Sequence, residues 1–141
     1  MPKLTKQQIL KEIVKCGKDP SYFLKNYARI SHPMHGLMLF KTYDYQDQLL
    51  EDFNDYRFNV INKGRQLGIS TITAGYIVWM MLFHRDKAIL VMATKFETAG
   101  NLVRKVKNIM KNLPEWIRIA SITTDNRTSF ELSNGSSIKA A

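Results

Sequence analysis

The chain has 141 residues, with 45% hydrophobic and 23% charged, the balance of a soluble globular protein long enough for one domain with a core. Its single cysteine, Cys16, excludes an intrachain disulfide and a cysteine-cluster metal site. The formal net charge of +9 favours acidic partners, with nucleic acid or nucleotide first, and the excess is uneven: nine Lys/Arg against seven Asp/Glu in residues 1–60, twelve against five in residues 61–141.

In chain order, residues 5–16 read as an amphipathic helix. Thr5 is the N-cap and Gln8 its box partner, Ile9, Leu10, Ile13 and Val14 form the apolar face, and Gly17 ends it. Asp19-Pro20 opens a second short helix that buries Phe23, Leu24 and Tyr27. Pro33 and Gly36 break residues 31–42, where Leu37, Leu39 and Phe40 suggest a short extended piece. His32 and His35 are not read as a metal pair, because Pro33 prevents an ordinary helical turn between them and no third ligand is evident. Residues 44–56 form a further helix, capped by Asp44, with Leu49, Leu50 and Phe53 on one side.

Arg57 to Asn62 reads as a strand, followed by a glycine-containing loop and a helix from Ser70 to about Phe83. That helix is apolar nearly all round and is expected to be buried, with Ala74 and Gly75 permitting close approach. Its longest apolar run, Ile77 to Phe83, is seven residues, far short of the roughly twenty a membrane span requires. No secretory signal opens the chain, so an intracellular protein is expected. Ala88 to Ala93 is a continuous apolar run, expected to be a strand covered on both faces, and it completes a right-handed βαβ unit. A helix from about Phe96 to Asn112 places Leu102, Val106 and Ile109 on one face and Arg104, Lys105, Lys107 and Lys111 elsewhere. A turn at Pro114 to Trp116 leads to a candidate strand within residues 117–123. Residues 128–140 read as a hairpin turning at Asn134-Gly135. The chain stops at the end of that hairpin, as a fragment would.

The loop, Lys63-Gly64-Arg65-Gln66-Leu67-Gly68-Ile69-Ser70-Thr71, sits between strand and helix signals, the layout of a phosphate-binding P-loop. The regular pattern, G-x-x-x-x-G-K-[ST], is only partly met: Gly68 and Ser70 fit, but Ile69 occupies the lysine position and Lys63 the first glycine position. Backbone amides from Gly64 to Ser70 suit a triphosphate cradle, and Ser70 stands at the magnesium position with Thr71 beside it. Lys63 is assigned the ground-state phosphate contact and Arg65 the charge that completes the transition state. The plain alternative is a glycine-containing turn that binds no nucleotide.

The segment from Gly64 to Thr71 resembles the variant Walker A loop of the large terminase subunit of tailed bacteriophages, in the branch like that of phage T4. The common form in that family has lysine where Ile69 stands; some members carry the working lysine at the start of the loop, where Lys63 falls. Tyr43-Asp44-Tyr45-Gln46 resembles the family's adenine-recognising segment, with Gln46 reading the base edge and Tyr43 or Tyr45 stacking nearby. Ala88 to Thr94 and Thr94 to Ala99 resemble its second core strand and the helix that follows.

The resemblance implies an α/β P-loop core with a RecA- or helicase-like parallel sheet, preceded by a small helical segment. It places an N-terminal helical segment at residues 1–42 and an incomplete ATPase domain at residues 43–141, which ends before the Walker B strand and lacks the nuclease domain. The implied function is the ATP-binding part of a DNA-packaging motor in the host cytoplasm. ATP and magnesium would be its cofactors. Double-stranded DNA, a small terminase subunit, a portal and further copies of the chain would be its partners, with no membrane. ATPase activity would belong to the full-length protein, because residues 89–141 hold no apolar run ending in two acids that could supply the water-positioning glutamate. A P-loop DNA helicase fragment is the nearest alternative, though it would keep lysine at position 69. A non-catalytic nucleic-acid module built on the basic helix is the second, and that helix lacks interleaved aromatics.

Overall fold

The computed structural model describes residues 3–32, 34, 36–62 and 68–141, with the His32 side chain left aside. The elements are α1 (Lys6–Lys18), α2 (Pro20–Tyr27), β1 (Arg29–His32), β2 (Gly36–Leu39), α3 (Asp44–Asp55), α4 (Ile69–Phe83), β3 (Ala88–Val91) and α5 (Phe96–Lys111). A 3-10 turn (Glu115–Ile117) then leads to β4 (Ile122–Asp125), β5 (Ser129–Leu132) and β6 (Ser137–Ala140).

Local chemistry sets the helix starts. At α1 the Gln8 amide donates to Thr5 Oγ1 at 3.2 Å and the Thr5 amide donates to Gln8 Oε1 at 2.9 Å, the expected capping box. At α2 the Asp19 carboxylate accepts from the amides of Ser21 and Tyr22, with Pro20 at the first helical position. The α1 apolar face is narrower than its spacing predicts. Leu10 is 63% exposed and Val14 is also exposed, because only the side bearing Cys16 turns inward. Burial pushes the Cys16 thiol up to about 12, which makes it inert as a nucleophile.

Helix α4 is the centre of the core. Ile72, Ala74, Tyr76, Ile77, Val78, Trp79, Met81 and Leu82 are all buried along it. A Cβ at Gly75 would lie 2.8 Å from Leu24 Cδ2, so the missing side chain is what lets α2 approach. Trp79 Nε1 donates to the Cys16 carbonyl at 2.8 Å, and the Tyr76 hydroxyl donates to the Phe53 carbonyl at 3.3 Å, which fixes α1 and α3 to the same helix. The apolar cluster runs from Cys16 and Phe23 through α4 and α5 to Phe130 and Ile138.

The sheet corrects the fold expected from the sequence. Its order is β3-β6-β5-β4, and only β3 and β6 are parallel. β5 pairs antiparallel with both β6 and β4, so the sheet is mixed and mostly antiparallel, not the parallel RecA- or helicase-like sheet. The reason is the hairpin. A tight turn at Asn134 and Gly135, with Gly135 at φ +87, forces β5 and β6 to run antiparallel, and β6 then takes the one paired edge of β3.

The expected strand over residues 57–62 does not form. Phe58 is 82% and Val60 99% exposed, and among the described residues no strand lies along the other edge of β3. Without a ladder partner a strand has nowhere to place its backbone groups. The βαβ unit expected around α4 is therefore absent. β3 is also not covered on both faces: Ile89 and Val91 are half-buried, while Leu90 and Met92 are exposed. Among the described residues no helix is long and apolar enough to cross a membrane.

The hairpin is held against the C-terminal end of α4 by Asn134 and by Ser136, whose Oγ donates to the His84 carbonyl at 2.9 Å. Asn134 Nδ2 donates to the carbonyls of Met81 at 2.7 Å and His84 at 3.2 Å, while its Oδ1 accepts from the Ser136 amide at 3.0 Å. Asn134→Ala is expected to lower stability by about 1–3 kcal/mol, the range for orphaned partly buried polar groups. Thermal unfolding followed by circular dichroism measures it, and an unchanged midpoint would contradict this account of the docking.

Candidate functional site

The site lies at the N-terminal end of α4. Gly68 is the residue before the helix, in the left-handed conformation with φ 70 and ψ 19. Gln46 sits on the first turn of α3, only 3% exposed, and its Nε2 donates to the Gly68 carbonyl at 3.2 Å. A Cβ on Gly68 would come within 2.6 Å of that nitrogen. The left-handed backbone angle favours glycine at this position, and a Cβ would have to displace the end of the Gln46 side chain.

The other end of the Gln46 carboxamide is also engaged, because Oε1 accepts from the Tyr43 amide at 2.9 Å. Tyr43, not Asp44, is the cap residue of α3, and Asp44 is its first helical residue. Gln46 thus ties the start of one helix to the start of another. The next residue secures the arrangement. Asp47 Oδ1 accepts from Ser21 Oγ and Thr42 Oγ1, both at 2.7 Å, and Lys25 Nζ stands 2.9 Å from Oδ2. Burial raises the Asp47 carboxyl pKa, but hydrogen bonds from Ser21, Thr42 and Lys25 outweigh it and hold the group below its ordinary value.

Of the residues expected to bind nucleotide, Gln46, Gly68, Ile69, Ser70 and Thr71 are brought together. Lys63, Gly64, Arg65, Gln66 and Leu67 lie outside the described residues. Ile69 opens the helix half-buried, while Ser70 is exposed in the first turn. The first turn of a helix leaves amide hydrogens without intrahelical acceptors and carries partial positive charge. These amides and the Ser70 hydroxyl suit phosphate oxygens and one ligand position on a magnesium ion, whose other ligands would come from phosphate and water. Among the described residues no trio of His, Cys, Asp or Glu gathers into a metal site. The rings of Tyr43 and Tyr45 stack on each other, 5.7 Å apart at 8°, next to Gln46. Asp86 follows the opposite end of α4, its amide donating to the Asn134 carbonyl, roughly 22 Å along the helix from Gly68.

One side chain near the site was not singled out for it by the sequence. Lys105 Nζ, from α5, donates to Thr71 Oγ1 at 3.4 Å. Nothing in linear spacing signals a meeting of residues 71 and 105, since it arises only from the crossing of α4 and α5. The basic helix also divides. Lys107 Nζ lies 2.5 Å from Asp125 Oδ1 and Lys111 Nζ 3.4 Å from Asp125 Oδ2, so these two share one carboxylate on the β4 side. The Lys107 contact, followed by Coulombic attraction to both lysines, holds the Asp125 carboxyl below its ordinary value. Arg104 and Lys105 take no part in these ion pairs. No known protein-family model matches the chain.

Gln46→Ala removes a donor from Gly68 and an acceptor from Tyr43, and is expected to cost about 1–2 kcal/mol in urea unfolding; wild-type stability in the variant would exclude the latch. Asp47 supplies a pH test. Because its pKa is depressed in the folded state, its contribution is present above the unfolded value of about 3.9 and fades as pH falls through the lower folded value. Asp47→Asn is therefore expected to melt below wild type at pH 7 and to converge with it in acid. Parallel melting curves at all pH values would refute this.

Proposed function

We propose that this chain is the nucleotide-binding part of an ATP-driven motor that moves double-stranded DNA, of the viral packaging kind, with ATP and magnesium held at the start of α4. The observation that carries the reading is the hydrogen bond from Gln46 Nε2 to the Gly68 carbonyl. Two segments separated in the chain, each similar to one part of a terminase nucleotide site, meet at that contact.

The chain's own residues have distinct tasks in this reading. Gly68 keeps its Cβ-free backbone close to the phosphates, and the first amides of α4 donate to phosphate oxygens. Ser70 offers its exposed hydroxyl to the magnesium ion. Gln46 is the residue the resemblance assigns to the adenine edge, and its carboxamide is held in place by Tyr43 and Gly68. Lys63 and Arg65 supply the charge that Ile69 cannot, Arg65 against charge developing in the transition state. Bound magnesium would neutralise and orient the triphosphate. Residues 89–141 contain no paired acids suited to position water, so γ-phosphate cleavage requires a carboxylate from outside this sequence. A small terminase subunit, a portal and further copies of the chain, in the host cytoplasm, are the partners this reading implies.

Isothermal titration of the purified chain with magnesium and ATP tests the reading. Wild type is expected to bind, and Lys63→Ala to bind about ten- to a hundred-fold more weakly, as loss of a charge-assisted contact worth roughly 1.5–3 kcal/mol requires. Ser70→Ala is expected to weaken binding only when magnesium is present. Equal binding by wild type and Lys63→Ala would move the charge role to Arg65. A folded wild-type chain that bound no ATP would overturn the reading.

A further inference from the structure

A groove of about 420 Å3 opens between β1 and the outer face of α5 and reaches the first turn of α4. Arg29, Thr71, Asn101, Arg104, Lys105 and Asn108 line it, and none of its lining residues is acidic. The described ion pairs, Lys25–Asp47, Lys107–Asp125, Lys111–Asp125 and Arg118–Glu115, all lie elsewhere. Among the described residues, Arg29, Arg104 and Lys105 therefore form no ion pair. Arg104 is oriented by a hydrogen bond to Asn101 Oδ1, and Lys105 by its contact with Thr71.

The lining points to an extended polyanion. From Asn101 to Asn112 the groove follows α5 for about 16 Å at 1.5 Å per residue. Projected on the axis of B-form DNA, that distance covers about four or five phosphates of one strand at roughly 3.4 Å of rise each. Arginine, lysine and asparagine side chains are common donors to phosphate and sugar oxygens. No aromatic ring lines the groove, so it offers no platform for the unstacked bases of a single strand.

We propose that this groove seats the phosphate backbone of double-stranded DNA, with Arg29, Arg104 and Lys105 as the phosphate contacts. The proposal rests on the DNA-motor reading for its partner and adds the face on which that partner lies. Of the basic residues of α5 it assigns Arg104 and Lys105 to DNA and leaves Lys107 and Lys111 to their contacts with Asp125.

The test is fluorescence anisotropy of a labelled duplex of mixed sequence, titrated with the whole chain over a salt series. The triple variant Arg29→Ala, Arg104→Ala, Lys105→Ala is compared with the charge-matched triple Lys11→Ala, Lys18→Ala, Lys139→Ala. Loss of three phosphate contacts, at about 0.9 each, is expected to reduce the slope of log K against log salt by about 2.7 in the groove variant, and by far less in the control. Equal reductions in both, an unchanged groove variant, or tighter binding of a single strand than of the duplex would overturn the proposal. If melting shows the groove triple to be unfolded, Lys105→Glu is compared with Lys139→Glu, and only the first is expected to lose binding. The titration with magnesium and ATP is read separately. A wild type that bound duplex but not ATP would strike the nucleotide reading and leave the groove standing.

Discussion

The fold depends on the burial of α4. Its fifteen residues include no charged side chain, and apolar groups point in every direction around the axis. Each large side chain buried on it contributes about 1.5–3 kcal/mol, against a typical net stability of 5–15 kcal/mol for a whole domain. Covering this one helix therefore outweighs most other choices the chain can make. α2 covers it at Gly75, α3 at Tyr76, α1 through Trp79, and α5 along its length.

Burial of the shaft leaves the two helix ends to polar chemistry. At the C-terminal end, Asn134 and Ser136 from the hairpin satisfy the carbonyls of Met81 and His84. At the N-terminal end, Gly68 accepts from Gln46, Ser70 is open, and Thr71 meets Lys105. The N-terminal end is thus the one whose first amides have no intrahelical acceptor and near which a cation, Lys105, lies. The distribution of the excess positive charge follows the same logic. Where α5 meets β4, Asp125 pairs with two lysines; where α5 meets β1, none of the described carboxylates forms an ion pair with Arg29, Arg104 or Lys105.

Helix boundaries were legible in the sequence wherever a local signal set them. Thr5 with Gln8, Asp19 with Pro20, and the apolar continuity from Ile69 to Phe83 each act within a few residues. The hairpin was legible for the same reason, since its turn chemistry resides in Asn134 and Gly135. The contact of Gln46 with Gly68 joins residues 22 apart in the chain, and no periodicity could have supplied it.

Sequence alone thus determined which segments are helical, that α4 is buried, and where the chain turns back at residues 134–135, because capping, periodicity and turn geometry are short-range. Only the tertiary structure decided that β6 pairs parallel with β3, that residues 57–62 remain unpaired, and that Arg104 and Lys105 part company with Lys107 and Lys111. Strand pairing and charge pairing join residues far apart in the chain. An apolar run such as 57–62 states a capacity to form a strand, but the ladder partner that realises it is a fact of three dimensions.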